Sequence, residues 1–457
     1  MRPRASLLAA LLFACIAAGA GTWAYRQHTE LAFERRRVAL LEDENTRLHA
    51  LVGQQEKTIS ANSDAARRRP IEEAVTRIRG LEFSHSVTYD VLTRAGFKNL
   101  LEEKLSKQYS DTDFKNYATG MAAFGLLEPN YPLKEKYIAL LGEQVAALYD
   151  QHQHKLFMFE NASLDDIQNR VVLAHELTHA LQDQNFGLLK MPLEVKTDDD
   201  LALATSALIE GDATLVMDDY ELQNFRLQDL HRSITGLLSQ NMKQFQDAPR
   251  ILRDSLTFPY VRGMEFCEQL RDEGGYAAIS DAFKNPPTST SQILHPEEYL
   301  AHEEPIRIDW QDTSVLGEKP VEDNVLGEFG TRILLSQFLG DTAGIADSQG
   351  WRGDRYLAYA DGKALVWKTI WVDDAHAENF HEALKQYLTA RFKAAFPSDN
   401  GAFSPLGSTE TFETPNASGV IKWSNEAHGI IFIWAEDKKL LHALFEKFGE
   451  EYDKPEP

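Results

Sequence analysis

The chain has 457 residues, with 70 Asp and Glu against 47 Lys and Arg, a formal net charge of -23. That excess of acid argues against nucleic acid, and against anionic lipid, as a partner of the folded body. Of the two cysteines only Cys267 lies outside an N-terminal apolar run, which excludes an intramolecular disulfide framework and a thiolate zinc site.

In chain order, Ala5 to Tyr25 is almost unbroken apolar sequence, long enough to span a bilayer as a helix, with Arg2 and Arg4 before it. A cleaved signal peptide, or a lipoprotein site at Cys15, is the rival reading. The apolar run continues past both candidate sites, so residues 1–28 are read as an uncleaved membrane anchor. Arg26, Arg35, Arg36 and Arg37 follow the span, so charge alone does not orient it. Short N-terminal anchors commonly leave the terminus inside. The expectation is a single-pass protein of the inner (cytoplasmic) membrane with a periplasmic or otherwise extracytoplasmic body.

Residues 29–59 carry a heptad stripe: Leu31, Val38, Asn45, Val52 and Ile59 in one register, Leu41 and Leu48 in its companion. A coiled-coil stalk buries such a stripe, and a lone Asn in it favours a two-stranded register, so a homodimer is expected. Glu34 and Gln55 at companion positions keep a single amphipathic stalk as the alternative. Residues 60–70, polar, basic and ending in Pro70, read as a linker. The body divides into 71–319 and an α+β segment, 320–457.

Residues 71–150 read as four helices, and Lys155 to Glu160 as a strand and a candidate edge for receiving an extended peptide. A helix from about 164 to 185 follows, with Ser163, Asp165 and Asp166 as N-terminal caps and Asn185 and Gly187 as stops. On it, His175 and His179 lie about 40° apart on one face, one turn above the other, while Glu176 stands about 100° round from His175. Two imidazoles on one metal ion and a carboxylate in reach of its water make the HExxH arrangement of zinc hydrolases.

A catalytic zinc ion keeps three protein ligands, so a third is needed. In the helix 202–222, Glu210 is a carboxylate on a mostly apolar face, Leu203, Ala207, Ala213 and Met217 with the small Ser206 and Thr214, and is costly there unless paired or bound to metal. Glu210 is the third-ligand candidate, with Asp212 nearly opposite it. Helices at 221–247 and 260–284 lead to a loop fixed by Pro286, Pro287, Ser289 and Thr290. After it, His295 is the first choice and Tyr299 the second for a donor to the reacting carbonyl oxygen, with Tyr260 and Arg262 as outside candidates. Capping or packing is the plainer role for His295. Beyond residue 320 come a helix, strands near 355–361 and 364–371, a helix at 375–392, a strand pair near 418–435 and a last helix. GWRGDRY, 350–356, reads as structural.

HELTH followed by Glu210 resembles the gluzincin group of zinc peptidases. A longer stretch, through AHELTHALQDQ, IEGDA, PPTSTSQILHPEEYL and GWRGDRYLAY, is similar to a poorly characterised set of predicted bacterial metallopeptidases, from about Arg79 to Phe380. The resemblance implies a predominantly helical α+β fold, with a zincin-like active-site helix beside a small antiparallel sheet. It also implies a peptidase, with Zn2+ held by His175, His179 and Glu210 and Glu176 as general base, but brings no known substrate. Internal cleavage of a peptide or protein is the expectation, and an exopeptidase is neither shown nor excluded by the sequence. In that group an aspartate four residues after the glutamate often steadies a ligating histidine; here Thr214 stands there, and Asp183, one turn beyond His179, is the candidate replacement. The alternative is a peptidase-like envelope scaffold that binds without turnover.

Overall fold

The computed structural model describes residues 64–144, 147–160, 162–225, 243–396, 409–424 and 428–449. The anchor, the coiled-coil stripe and most of the helix expected over 221–247 lie outside the described residues. Among the described residues no helix is long and apolar enough to cross a membrane.

The first half runs α1 (Asp64–Arg79), β1 (Thr88–Leu92), α2 (Arg94–Gln108), α3 (Asp111–Ala123), α4 (Leu133–Gln144), β2 (Ala147–Asp150), β3 (Lys155–Phe159), α5 (Ile167–Phe186) and α6 (Asp199–Asn224). Next come α7 (Lys243–Asp247), α8 (Arg250–Ala282), α9 (Thr290–Leu294) and α10 (Pro296–Leu300). The last part is β4 (Glu322–Asn324), α11 (Gly327–Leu339), α12 (Asp341–Ala346), β5 (Trp351–Tyr359), β6 (Ala364–Trp371), α13 (Asp374–Phe392), β7 (Thr409–Glu413), β8 (Ser418–Ser424), β9 (Gly429–Ala435) and α14 (Lys438–Leu444). The architecture is α+β and mostly helical, as expected from sequence.

Several elements differ from expectation. α1 begins at Asp64, so Asp64 to Pro70, read as linker, are helical; Pro70 lies in its second turn and forgoes one backbone donor there. The fourth helix stops at Gln144, and its apolar tail Ala147–Asp150 is β2, a short apolar run that periodicity does not assign. The sheet beside α5 has the order β1-β3-β2, with β1 parallel and β2 antiparallel to β3, so it is mixed. Lys155–Phe159 is therefore its central strand, and the strand edge beside α5 belongs to β2. The second sheet is antiparallel throughout, in the order β4-β5-β6-β9-β8-β7, with β6 buried at its centre.

The largest apolar core joins Leu101, Leu105, Tyr109 and Phe124 from the early helices to Trp351, Trp367, Phe380 and Trp434 around the six-stranded sheet. It is continuous across residue 320. A second core lies between α6 and α8, and a third beneath α1, α5 and β3. α6 and α8 cross at two glycines. A Cβ on Gly211 would land on the Gly263 carbonyl, and one on Gly263 would land on the Ala207 carbonyl oxygen. Only hydrogen at both positions permits this approach, and it brings α8 against the residues around Glu210.

Candidate metal centre

The Asp166 carboxylate accepts from Gln168 N at the start of α5, and Gly187, at φ 73°, ends the helix in the left-handed region. Between these caps the apolar residues Leu173, Ala174, Leu177, Ala180 and Leu181 are wholly buried, which fixes the helix in rotation. His175 and His179 consequently point at α6. His175 Nε2 stands 3.0 Å from His179 Nε2 and 3.2 Å from Glu210 Oε2, and His179 Nε2 is 3.4 Å from the same oxygen. Ligands at roughly 2.0–2.1 Å from a tetrahedral zinc ion stand roughly 3.3 Å from one another, so the three atoms are spaced as such an ion needs. Among the described residues this is the one group of three or more His, Cys, Asp or Glu side chains with that convergence.

The electrostatics agree with a cationic occupant. Burial opposes charge on both histidines and leaves His175 below its ordinary value; at His179 the adjoining Glu210 carboxylate overcomes burial and lifts the imidazole to about 9. Burial would likewise raise Glu210, but His179 and His175 hold it down. Glu210 Oε1 and His175 Nδ1 are buried with no hydrogen-bond partner. The donor set of two imidazoles and one carboxylate suits zinc, and such a ligand set accepts other divalent ions too.

Glu176 is also fully buried. Its Oε2 accepts from Tyr149 N on β2 at 2.5 Å, whereas Oε1 has no partner. Burial pushes this carboxyl up to about 8, with Glu210 adding to the push. The tilted ring of Tyr260, on α8 one turn before Gly263, stacks on His175 with 6.2 Å between centroids. Tyr260, an outside candidate by sequence, is thus brought to the centre by the glycine crossing.

The other sequence candidates lie elsewhere. His295 Nε2 meets Glu328 Oε1 at 2.8 Å, and that bond raises its pKa. Tyr299 donates its hydroxyl to Asn285 O and sets its ring edge-on to Phe266. Both are tied into the packing of α9–α11. Arg262 pairs with Glu265 along its own helix. Asp183 accepts from Tyr149 Oη at 2.8 Å, from Leu188 N at 3.2 Å, and bonds His154 Nδ1 at 2.7 Å.

The residue against His179 Nδ1 is Gln182, whose Oε1 lies 2.9 Å away. Gln182 Nε2 donates to Ile209 O and to Asp212 Oδ2, and Asp212 is paired with Arg79 at 2.7 Å, both side chains fully buried. None of these three was singled out from sequence as a site residue. Little in the sequence signals them: Arg79 ends a charged helix, Gln182 is followed by Asp183, Gln184 and Asn185, and Asp212 stands two residues from Glu210.

A family model described as a domain of unknown function (DUF8575) matches residues 314–416. That match takes in β4 to β7 and contains none of the three converging side chains. No curated protein and no solved structure matches the chain.

Proposed function

We propose that this protein is a zinc-dependent peptidase, anchored to a membrane by residues 5–25, with a body outside the cytoplasm that acts on peptide or protein substrates. The observation that carries this reading is the convergence of His175, His179 and Glu210 within tetrahedral spacing, with Glu176 beside them. A zinc ion held by those three side chains would acidify water and polarise a scissile carbonyl. Glu176 Oε1 takes the proton of the attacking water and passes it to the leaving amine. Its raised pKa suits a group that must both accept and return a proton near neutrality. Tyr260, stacked against His175, is the donor candidate for the carbonyl oxygen as it gains charge.

A second reading, a metal-bound scaffold without turnover, is favoured by one observation. His175, Glu176, His179 and Glu210 are only 0 to 3% exposed, and Glu176 is already held by the β2 backbone. Turnover therefore requires a motion that bares the centre. Metal content by mass spectrometry, with casein cleavage, on the wild type and Glu176→Gln separates the two readings. Zinc in both proteins with cleavage only by the wild type supports the peptidase. Zinc in both with cleavage in neither favours the scaffold, and a wild type without metal removes both.

A further inference from the structure

The metal reading leaves open which face of each histidine is free to bind. Gln182 decides it for His179. An amide oxygen and nitrogen are interchangeable in shape, so the hydrogen-bond network must settle which end faces where. One end of Gln182 meets two groups that carry no hydrogen, the Ile209 carbonyl at 2.9 Å and Asp212 Oδ2 at 2.9 Å. That end has to be the NH2. The Ile209 carbonyl alone settles this, and Asp212 is held in place by Arg79, whose Nε donates to Oδ2 at 3.0 Å and lies 2.7 Å from Oδ1. Arg79 is itself pinned by Nη1 bonds to Tyr276 O and Ser280 Oγ on α8.

The other end of Gln182 is then the oxygen, 2.9 Å from His179 Nδ1, and it can only accept. Nδ1 must therefore carry the hydrogen. In the neutral ring that a metal binds, the lone pair is then on Nε2, the atom that faces His175 and Glu210. Arg79, Asp212, Gln182 and His179 are each at most 3% exposed, so water does not offer an alternative partner.

We propose that Gln182, oriented by Asp212 and Arg79, is a positioning residue that fixes the tautomer of His179 for metal binding. The proposal rests on the metal reading above, and it adds a role for a polar relay joining the end of α1 to α5, α6 and α8. His175 has no such support, since its Nδ1 is buried without a partner. The burden of orienting the pair falls on His179.

The test compares the zinc affinity of the full chain, by competition with a chromophoric chelator, and the unfolding midpoint, for three proteins: wild type, Gln182→Met and Gln182→Glu. Gln182→Met keeps the volume and removes the acceptor. It should bind zinc about 10- to 100-fold more weakly, the range for losing a partner that orients a ligand. Gln182→Glu keeps an oxygen for His179 Nδ1 but sets its other oxygen against the Ile209 carbonyl and Asp212 Oδ2. Its unfolding midpoint should fall while its zinc affinity stays within several-fold of the wild type.

A merely structural role would make zinc affinity follow the unfolding midpoint and would leave Gln182→Glu as weak as Gln182→Met. Wild-type affinity in Gln182→Met, or a folded Gln182→Glu no better than Gln182→Met, overturns the proposal. Gln182→Met leaves the Arg79–Asp212 pair intact and carries the test if Gln182→Glu does not fold. A wild type that takes up no zinc overturns instead the metal reading beneath it.

Discussion

Two of the buried carboxylate regions among the described residues contrast with each other. In the six-stranded sheet, Asp354 accepts four bonds: Gly327 N and Trp351 Nε1 on one oxygen, Leu326 N and Trp367 Nε1 on the other, all at 2.8–3.0 Å. Beside α5, Glu176 and Glu210 each engage a single oxygen, and their Oε1 atoms are buried with no partner. An unmatched buried oxygen costs on the order of 1–3 kcal/mol or more for a charged group. Asp354, with every lone pair matched, is a structural tie. A half-matched carboxylate is not by itself a site, since Glu328 Oε2 and Asp212 Oδ1 are likewise buried without a hydrogen-bond partner; Glu176 and Glu210 are set apart by standing beside His175 and His179.

The largest expected effect falls on Glu176. Glu176→Gln keeps the shape and the Tyr149 bond but not the base, and casein turnover should fall on the order of 10²- to 10⁴-fold while zinc content by mass spectrometry stays at the wild-type level. Unchanged turnover would erase the distinction between a working carboxylate and a tie. Glu210→Ala should abolish zinc retention, whereas Asp354→Ala should retain zinc fully in whatever fraction is folded. Zinc lost equally from both would break the comparison.

Stability should show the reverse order. Asp354→Ala leaves four buried N–H groups unmatched and should lower unfolding free energy on the order of 3 kcal/mol or more in denaturant titrations. Gly211→Ala drives a Cβ into the Gly263 carbonyl, so the α6–α8 crossing must open. A lower thermal midpoint together with weaker zinc binding is expected, because the same helix carries Glu210. A normal midpoint with normal zinc would mean that the crossing does not hold the centre.

The smallest effect is a pH slope. Burial raises Asp354 from 3.8 to about 6, against the pull of its four donors. Its folded pKa lies above its unfolded one, so between pH ~4 and ~6 the folded state binds the extra proton and stability falls as pH rises, by about 1.4 kcal/mol per unit of pKa difference. Below that window both states are protonated, and above it the loss is complete. Asp354→Asn removes this titration, so the stability gap between wild type and variant should narrow as pH rises through the window and stay constant above it. A gap that widens would show that the donors outweigh burial.

What sequence by itself determined is local. The spacing of His175, Glu176 and His179 follows from helical geometry alone, and the caps Asp166 and Gly187 bound that helix where turn chemistry predicts. Glu210 was legible because a carboxylate on an apolar helical face demands a partner. The buried strand β6 and the helix α13 were legible from their own periodicity and residue types.

What only the tertiary structure decided depends on which elements become neighbours. Strand order cannot be read from a strand's own residues, and so β3 is central and β2 holds the edge. His295 and Tyr299 sit in a polar loop context that suited a site, yet Glu328 and Asn285 take their polar atoms. Tyr260 reaches His175 because two glycines, 52 positions apart in the chain, let α6 and α8 touch. Gln182, Asp212 and Arg79 span 133 residues at their widest. A hydrogen bond needs about 3 Å and a direction, and periodicity supplies a residue's face but not the atom that will meet it.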